Sequence, residues 1–391
     1  MTDKKFDVVV YGASGFTGRL VAEYLQQQYG NGDTVRWAMA GRSHDKLEAV
    51  RDEVGLPKDT PLVVADATDQ SSMQSMVDSS KSILTTVGPY QLYGSQLVAL
   101  CANSGTDYVD LCGESVWMRH MIDANLEAAK ASGARIVFSC GFDSIPSDLG
   151  IYRLQKIAEQ QTGSTCRHIS GRVRAMKGTF SGGTAASLQA SLLAAKGDPE
   201  ILKLAVDPYA LVPGVKGVEQ PDGDRVYYSD ELKSWVAPFI MAAINTRNVH
   251  RSNALLDYYY GKDFTYDEML LTGDGEKGEA VANYVANDRS MAGPDAPKPG
   301  EGPNKEERES GFYDIMYIGE TVNSDKLVLS VKGDRDPGYG STSKMISESA
   351  LCLVNEAADT PGGIWTTAPA MGDKLIARLE KNAGLSFTLE S

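Results

Sequence analysis

Through the first 140 residues, short apolar runs alternate with stretches whose apolar positions follow a helical period. The runs Asp7 to Tyr11, Val35 to Ala40, Pro61 to Ala65, Ser82 to Val87, Tyr108 to Leu111 and Arg135 to Ser139 have the length of strands buried on both faces. Between them lie helical patterns. Phe16, Leu20, Val21, Tyr24 and Leu25 share one face of the first, and others cover Asp45 to Val54, Ser71 to Ser79, Ser95 to Asn103 and Trp117 to Ala131. Six strands joined by helices predict a parallel sheet with right-handed crossovers, the doubly wound nucleotide-binding fold of the Rossmann type.

Beyond residue 150 the pattern changes. His168 to Met176, Phe312 to Glu320 and Lys326 to Lys332 read as longer strands, the last two forming a hairpin across Val322 to Asp325. A helix is predicted near Thr184 to Ala195. The apolar stretch Trp235 to Ile244 reads as a core helix, with a patch touching lipid or an oily substrate as the alternative; it is too short to span a bilayer, which needs about 20 residues. Met291 to Gly311 is rich in Pro and Gly and predicts a flexible surface loop. Two helices, Ser341 to Ala357 and Pro369 to Asn382, close the chain. The expected fold is α/β: a Rossmann NAD(P)-binding domain over 1–150, a second α+β domain for substrate or dimerisation over 151–332, and a C-terminal helical segment over 333–391 packing back on the first.

The chemistry begins at the first strand-to-helix turn, where Gly12, Gly15 and Gly18 are spaced as G-x-x-G-x-x-G. Gly12 permits a tight turn, Gly15 lets backbone N–H groups approach a pyrophosphate, and Gly18 lets the helix sit close to the sheet. Ser14, Phe16 and Thr17 complete an N–H-lined helix start that favours an anion. At the end of the second strand, where NAD-binding folds place an acid for the ribose 2′-hydroxyl, stand Arg42 and Ser43, with Lys46 one turn on. Asp33 lies about twenty residues beyond Gly12 but precedes the strand, at the wrong end of the sheet. A guanidinium, a hydroxyl and an ammonium suit a 2′-phosphate, so NADP(H) is the expected cofactor and NAD(H) the lesser alternative. Asp66 is placed either to accept from the adenine amino group or to cap a turn. Val87, Gly88, Pro89 and Tyr90 end the fourth strand, where the nicotinamide half should run.

Composition narrows the partners. Apolar residues make up 42% of 391 and charged residues 23%, the mix of a globular protein. Lys and Arg number 38 against 52 Asp and Glu, a net charge of −14 that repels phosphate backbones and argues against nucleic acid. The five cysteines and four histidines are scattered without ligand spacing, so no metal site is expected, and reduced thiols fit a cytoplasmic protein. No signal-peptide core or transmembrane span is read; peripheral membrane contact and a homo-oligomer stay open.

With these residues in place, the chain resembles the saccharopine dehydrogenase-like oxidoreductases, and within them the branch of trans-acting enoyl reductases. The matching stretches run from Tyr11 to Leu25, Ala40 to Ser43, Thr85 to Gly94, Tyr108 to Glu114, Gly141 to Gly150, Ser181 to Thr184, Gly333 to Met345 and Gly362 to Leu375. The resemblance implies a small-molecule, acyl or lipid-like substrate whose C=C bond takes a hydride at one carbon and a proton at its neighbour. Tyr90, Tyr93, Glu114, Asp143 and Ser144 lie in loops expected at the carboxyl edge of the sheet. Tyr93 is the first choice of proton donor, because a phenol is protonated near neutral pH, and Asp143 the second; Glu114 and Ser144 are candidates for substrate contact. Three alternatives stay open. Ser139, Tyr152 and Lys156 have the spacing of a short-chain dehydrogenase. A saccharopine-type imine reduction would need clustered arginines, for which Arg167, Arg172, Arg174, Arg247 and Arg251 are available. A cofactor-binding protein without catalysis is the third.

Overall fold

The computed structural model describes residues 4–391 except 31, 33, 180, 294, 295 and 299. Its strands are β1 (Phe6–Tyr11), β2 (Trp37–Gly41), β3 (Leu62–Val64), β4 (Ser80–Thr85), β5 (Asp107–Val109), β6 (Arg135–Val137) and β7 (Cys166–Lys177). They continue with β8 (Tyr227–Ser229), β9 (Ser234–Pro238), β10 (Thr265–Gly273), β11 (Phe312–Thr321), β12 (Lys326–Gly333), β13 (Gly363–Trp365) and β14 (Leu385–Leu389). The helices are α1 (Phe16–Tyr29), α2 (His44–Glu53), α3 (Gln70–Ser79), α4 (Tyr90–Tyr93), α5 (Ser95–Ser104), α6 (Ser115–Ser132) and α7 (Ile145–Thr162). After them come α8 (Gly182–Gly197), α9 (Pro199–Val206), α10 (Ala242–Leu255), α11 (Gly275–Asn287), α12 (Lys305–Glu309), α13 (Thr342–Asn355) and α14 (Thr367–Arg378).

The first sheet runs β13-β6-β5-β4-β1-β2-β3, and every pairing is parallel. This is the doubly wound order with one strand added at the far edge. Alternate residues of β1 serve opposite layers: Val8 and Val10 face a core shared with α1, α13 and α14, while Val9 and Tyr11 face α3, α5 and α6. Both layers are dry, which is why the strands read as unbroken apolar runs.

The second sheet runs β14-β12-β11-β7-β10-β9-β8 and is mixed, with only β7 and β10 parallel among its pairs. The predicted hairpin is β11–β12, paired from Tyr313↔Gly333 to Glu320↔Lys326. The stretch Trp235 to Ile244 is not a helix. It forms most of β9, paired with β10, then turns and enters α10 at Ala242. Pro238 lacks the N–H to continue the ladder, and Phe239 O starts the turn by accepting from Ala242 N at 3.0 Å.

The chain from 333 onward is helical only in part. α13 lies against β1, β4, β5 and α1, as a segment returning to the first sheet would. In addition β13 pairs with β6 and β14 pairs with β12, so the C-terminal segment contributes a strand to each sheet. The expected boundary at 150 falls inside α7, one continuous helix. Asp33 lies outside the described residues, as do three positions of the 291–311 segment; the rest of that segment includes α12, closed by a capping box between Asn304 and Glu307.

Candidate functional site

The site opens at the carboxyl ends of β1, β2, β4, β5 and β6. Gly12 ends β1 at φ +93°, a conformation that favours glycine, and its N–H donates to Ala40 O at 2.9 Å. A Cβ at Gly12 would stand 2.7 Å from Val87 Cγ2, and one at Gly18 would stand 2.1 Å from Gly12 O. Gly15 N donates to Gly12 O at 2.8 Å, and Gly15 itself is exposed at the N-cap of α1. α1 has no side-chain cap and no acid in its first turn, so the N–H groups at Phe16, Thr17 and Gly18 begin a helix whose positive end is left for an anion. The cradle therefore fits a dinucleotide pyrophosphate.

At the adenosine end, Ser14 Oγ comes within 3.6 Å of where a Gly41 Cβ would stand, which joins the glycine turn to the end of β2. Ser43 caps α2, its Oγ accepting from Lys46 N at 3.4 Å. Arg42 and Lys46 are exposed, and neither forms an ion pair among the described residues. Asp66 Oδ1 accepts from Thr68 N at 2.9 Å and Thr68 Oγ1 at 2.8 Å. Those two bonds, with Arg42 nearby, hold its carboxyl below the usual range. Of the two roles expected for Asp66, these contacts are those of the turn cap.

At the nicotinamide end, Thr86 N donates to Tyr11 O at 3.0 Å, and Val87, Gly88 and Pro89 carry the chain from β4 into α4. Tyr90 and Glu114 are both buried here, and their side chains are engaged within the protein. The Tyr90 ring is buried 5.7 Å from Trp117, and its hydroxyl accepts from Leu111 N at 3.1 Å and donates to Thr85 O at 3.3 Å. Glu114 accepts from Tyr90 N at 2.8 Å and Gln91 N at 2.9 Å, one bond to each carboxylate oxygen. Tyr93 sits at the end of α4 with 49% of its surface exposed. Asp110, which the sequence reading did not single out, fastens the turns after β5 and β6. It accepts from Cys112 N at 3.0 Å, Ser139 N at 2.9 Å and Tyr108 Oη at 2.9 Å, and burial pushes its carboxyl up to about 7.

Asp143 and Ser144 differ from all of these. Neither side chain has a hydrogen-bond partner among the described residues, and Ser144 Oγ is buried. Asp143 is surrounded on most sides yet keeps part of its surface accessible. Burial alone pushes its carboxyl up to about 6. Its Oδ2 lies 3.8 Å from where a Gly113 Cβ would stand, which places it at the β5 side of the edge. An uncommitted, accessible acid can donate a proton to a bound molecule, whereas the Ser144 hydroxyl is closed off from one.

Of the short-chain dehydrogenase residues, Tyr152 and Lys156 meet, with Nζ 5.3 Å from the ring centroid, but Ser139 and Lys156 have other partners. Ser139 Oγ donates to Cys112 O at 2.5 Å, whereas Tyr152 packs against Gly372 and Lys156 pairs with Asp373, both in α14. Phe16 and Tyr339, by contrast, meet edge to face at 5.1 Å, although sequence spacing gave no reason to join them. The signal for Tyr339 was present only as part of the Gly333 to Met345 stretch.

Fold and relatives together define an NADP-dependent oxidoreductase. Residues 8–137 match the family described as the saccharopine dehydrogenase NADP binding domain. The chain is 41% identical over 416 residues, covering 99% of itself and 98% of its counterpart, to a Mycobacterium tuberculosis protein provisionally named a trans-acting enoyl reductase. It is 37% identical to the trans-acting enoyl reductase of Mycobacterium leprae, with 96% of each covered. Apo saccharopine dehydrogenase (L-Glu forming) from Saccharomyces cerevisiae shares the fold at a TM-score of 0.56 and 12% identity, covering 99% of this chain and all of its own. The chain belongs to the saccharopine dehydrogenase-like oxidoreductases, in the family of the trans-acting enoyl reductases.

Proposed function

We propose that the protein reduces the C=C bond of a 2-enoyl acyl substrate at the expense of NADPH, with Asp143 as proton donor. The observation that supports the reading is the uncommitted, partly accessible carboxyl of Asp143 beside Gly113, in the loop that follows β5. The names of the relatives support the choice of a C=C bond.

NADPH, when bound, supplies the hydride, which adds to the carbon β to the carbonyl. The C=C π electrons move toward the carbonyl, so negative charge builds on its oxygen as the hydride arrives. Asp143 delivers its proton to the α carbon, leaves as carboxylate and is reprotonated from solvent. One hydride and one proton enter and one saturated acyl group leaves. Arg42, Ser43 and Lys46 bind the 2′-phosphate end, while Glu114 and Asp110 hold the loops that frame the edge. Tyr93 ranks below Asp143 because a phenol half in solvent competes with water for the same proton transfer.

Imine reduction fits less well because four of the five arginines it could use are engaged, Arg167 being exposed. Arg172 pairs with Asp267, Arg174 with Asp314 and Glu390, and Arg247 and Arg251 donate to backbone carbonyls. The test is NADPH consumption with 2-enoyl thioesters of several chain lengths, set against imine and carbonyl substrates. Reduction confined to the enoyl set is expected, and Asp143→Asn should slow it by roughly 100-fold or more with NADPH affinity retained. Turnover of an imine or simple carbonyl but of no enoyl thioester would refute the reading.

A further inference from the structure

The ring of Phe16, in the glycine-rich turn, is met by three segments from beyond residue 300. Tyr339 stands on it edge to face, and Gly302 lies so close that a Cβ there would be 2.6 Å from its ring atoms. The Arg308 guanidinium carbon is 5.9 Å from its centroid. The same segments hold the start of α8. The Tyr339 hydroxyl, on a residue only 3% exposed, accepts the Ser181 N–H and lies 3.1 Å from Thr184 Oγ1. Gly182 N donates to Glu301 O at 3.1 Å.

α8 crosses the carboxyl edge of the first sheet. Ser187 Oγ lies 3.5 Å from where a Gly88 Cβ would stand, and Gln91 Nε2 donates to Ser191 Oγ at 3.4 Å. Only Gly182 and Ala185 of its sixteen residues are buried, so the first turn is its best-buried point of attachment. Tyr339 is held firmly from the other side, with its N–H donating to Asp336 Oδ2 at 3.0 Å. The ring pair and the hydroxyl therefore form one chain of contacts from the pyrophosphate turn to the helix above the reduction edge.

Resting on the reading of Gly12 to Gly18 as the NADP(H) cradle, we propose that Tyr339 is a positioning residue that couples dinucleotide seating at Phe16 to the placement of α8 over the reduction edge. Anchoring the N–H groups of the first turn of α1 fixes Phe16, its ring fixes Tyr339, and the phenol oxygen fixes Ser181 and Thr184. By reciprocity, a ligand that orders α8 tightens NADPH.

Amide hydrogen exchange of the full chain with and without NADPH tests this, with calorimetry on the same samples. In the wild type NADPH should slow exchange by roughly tenfold or more both in the glycine turn and at residues 182–187. Tyr339→Phe keeps the ring on Phe16 but loses the hydroxyl. It should hold NADPH affinity within about threefold and keep protection in the glycine turn, yet lose the NADPH-dependent protection of α8. Phe16→Leu, which breaks the chain one link earlier, should lose it too. A purely structural Tyr339 would loosen α8 equally in both states, leaving the NADPH effect intact in Tyr339→Phe, and that result overturns the proposal. So does a wild type in which NADPH protects the glycine turn but not α8. No NADPH affinity and no protection anywhere would instead refute the dinucleotide reading itself, and the proposal with it.

Discussion

Gly15 and Gly18 look equivalent in the sequence but carry different loads. A side chain at Gly18 would strike backbone at 2.1 Å, whereas one at Gly15 meets only Gly12 O at 3.2 Å and otherwise points to the open edge. Gly15→Val should therefore fold with a near-normal melting temperature and lose NADPH binding by calorimetry; retained affinity in the folded variant would contradict the cradle. Arg42→Ala should weaken NADPH by about 1.5–3 kcal/mol and leave NADH nearly unchanged, since only the former offers a 2′-phosphate; equal losses would mean that the end of β2 is misread. Asp143 links function to stability. Its folded carboxyl is raised to about 6, so the unfolded chain ionises first as pH climbs, and folded-state stability is lost between the ordinary aspartate range and about 6. Asp143→Asn escapes that loss and should be more stable than wild type at pH 7 by on the order of 1–2 kcal/mol, kept low by the access of the carboxyl to solvent. The difference should vanish near pH 4 in denaturant melts. At this scale the glycine spacing was legible because backbone sterics dictate it. The roles of Tyr90 and Glu114 were not: proximity to the sheet edge is visible in sequence, the direction of a side chain is not.

The six strands of the nucleotide-binding half were legible because each is a short apolar run, buried in all but the edge strand β3, followed by a helix. β13 was not, since three residues, Gly-Ile-Trp, show no period. Trp235 to Ile244 misled because a buried strand and a helix start are both apolar, and periodicity alone cannot divide a run of ten. Met291 to Gly311 reads as free loop from composition, yet Gly302 is seated on Phe16. On α7, Tyr152 and Lys156 reach α14 and not the reduction edge. Tyr152→Phe should leave turnover within about twofold, and Lys156→Ala should cost under about 1 kcal/mol, as exposed ion pairs do. Inactivity of Tyr152→Phe with intact NADPH affinity would restore the short-chain dehydrogenase reading.

Across the whole molecule, the last sixty residues bind the two sheets together, with α13 inside the first layer, β13 on its edge and β14 on the edge of the second. Deleting residues 384–391 removes β14 and the buried Leu385 and Phe387, and leaves β12 as an open edge. A melting temperature lower by on the order of 5–10 °C, with aggregation on unfolding, is expected by calorimetric scan. A truncated chain as stable as the full one would show that the second sheet does not depend on its last strand. No described helix is long and apolar enough to cross a membrane, and no cluster of metal-ligating side chains occurs among the described residues. The proposed reaction rests on the cradle, the edge and one acid. Its most direct test is the pH dependence of kcat/KM for NADPH-driven reduction of a 2-enoyl thioester, in wild type and Asp143→Asn. Because the donor must be protonated, the wild-type value should fall as pH rises through about 6, while the slow residual rate of Asp143→Asn should lack that limb. The same limb in both proteins, or equal rates, would contradict the assignment of Asp143 as the proton donor.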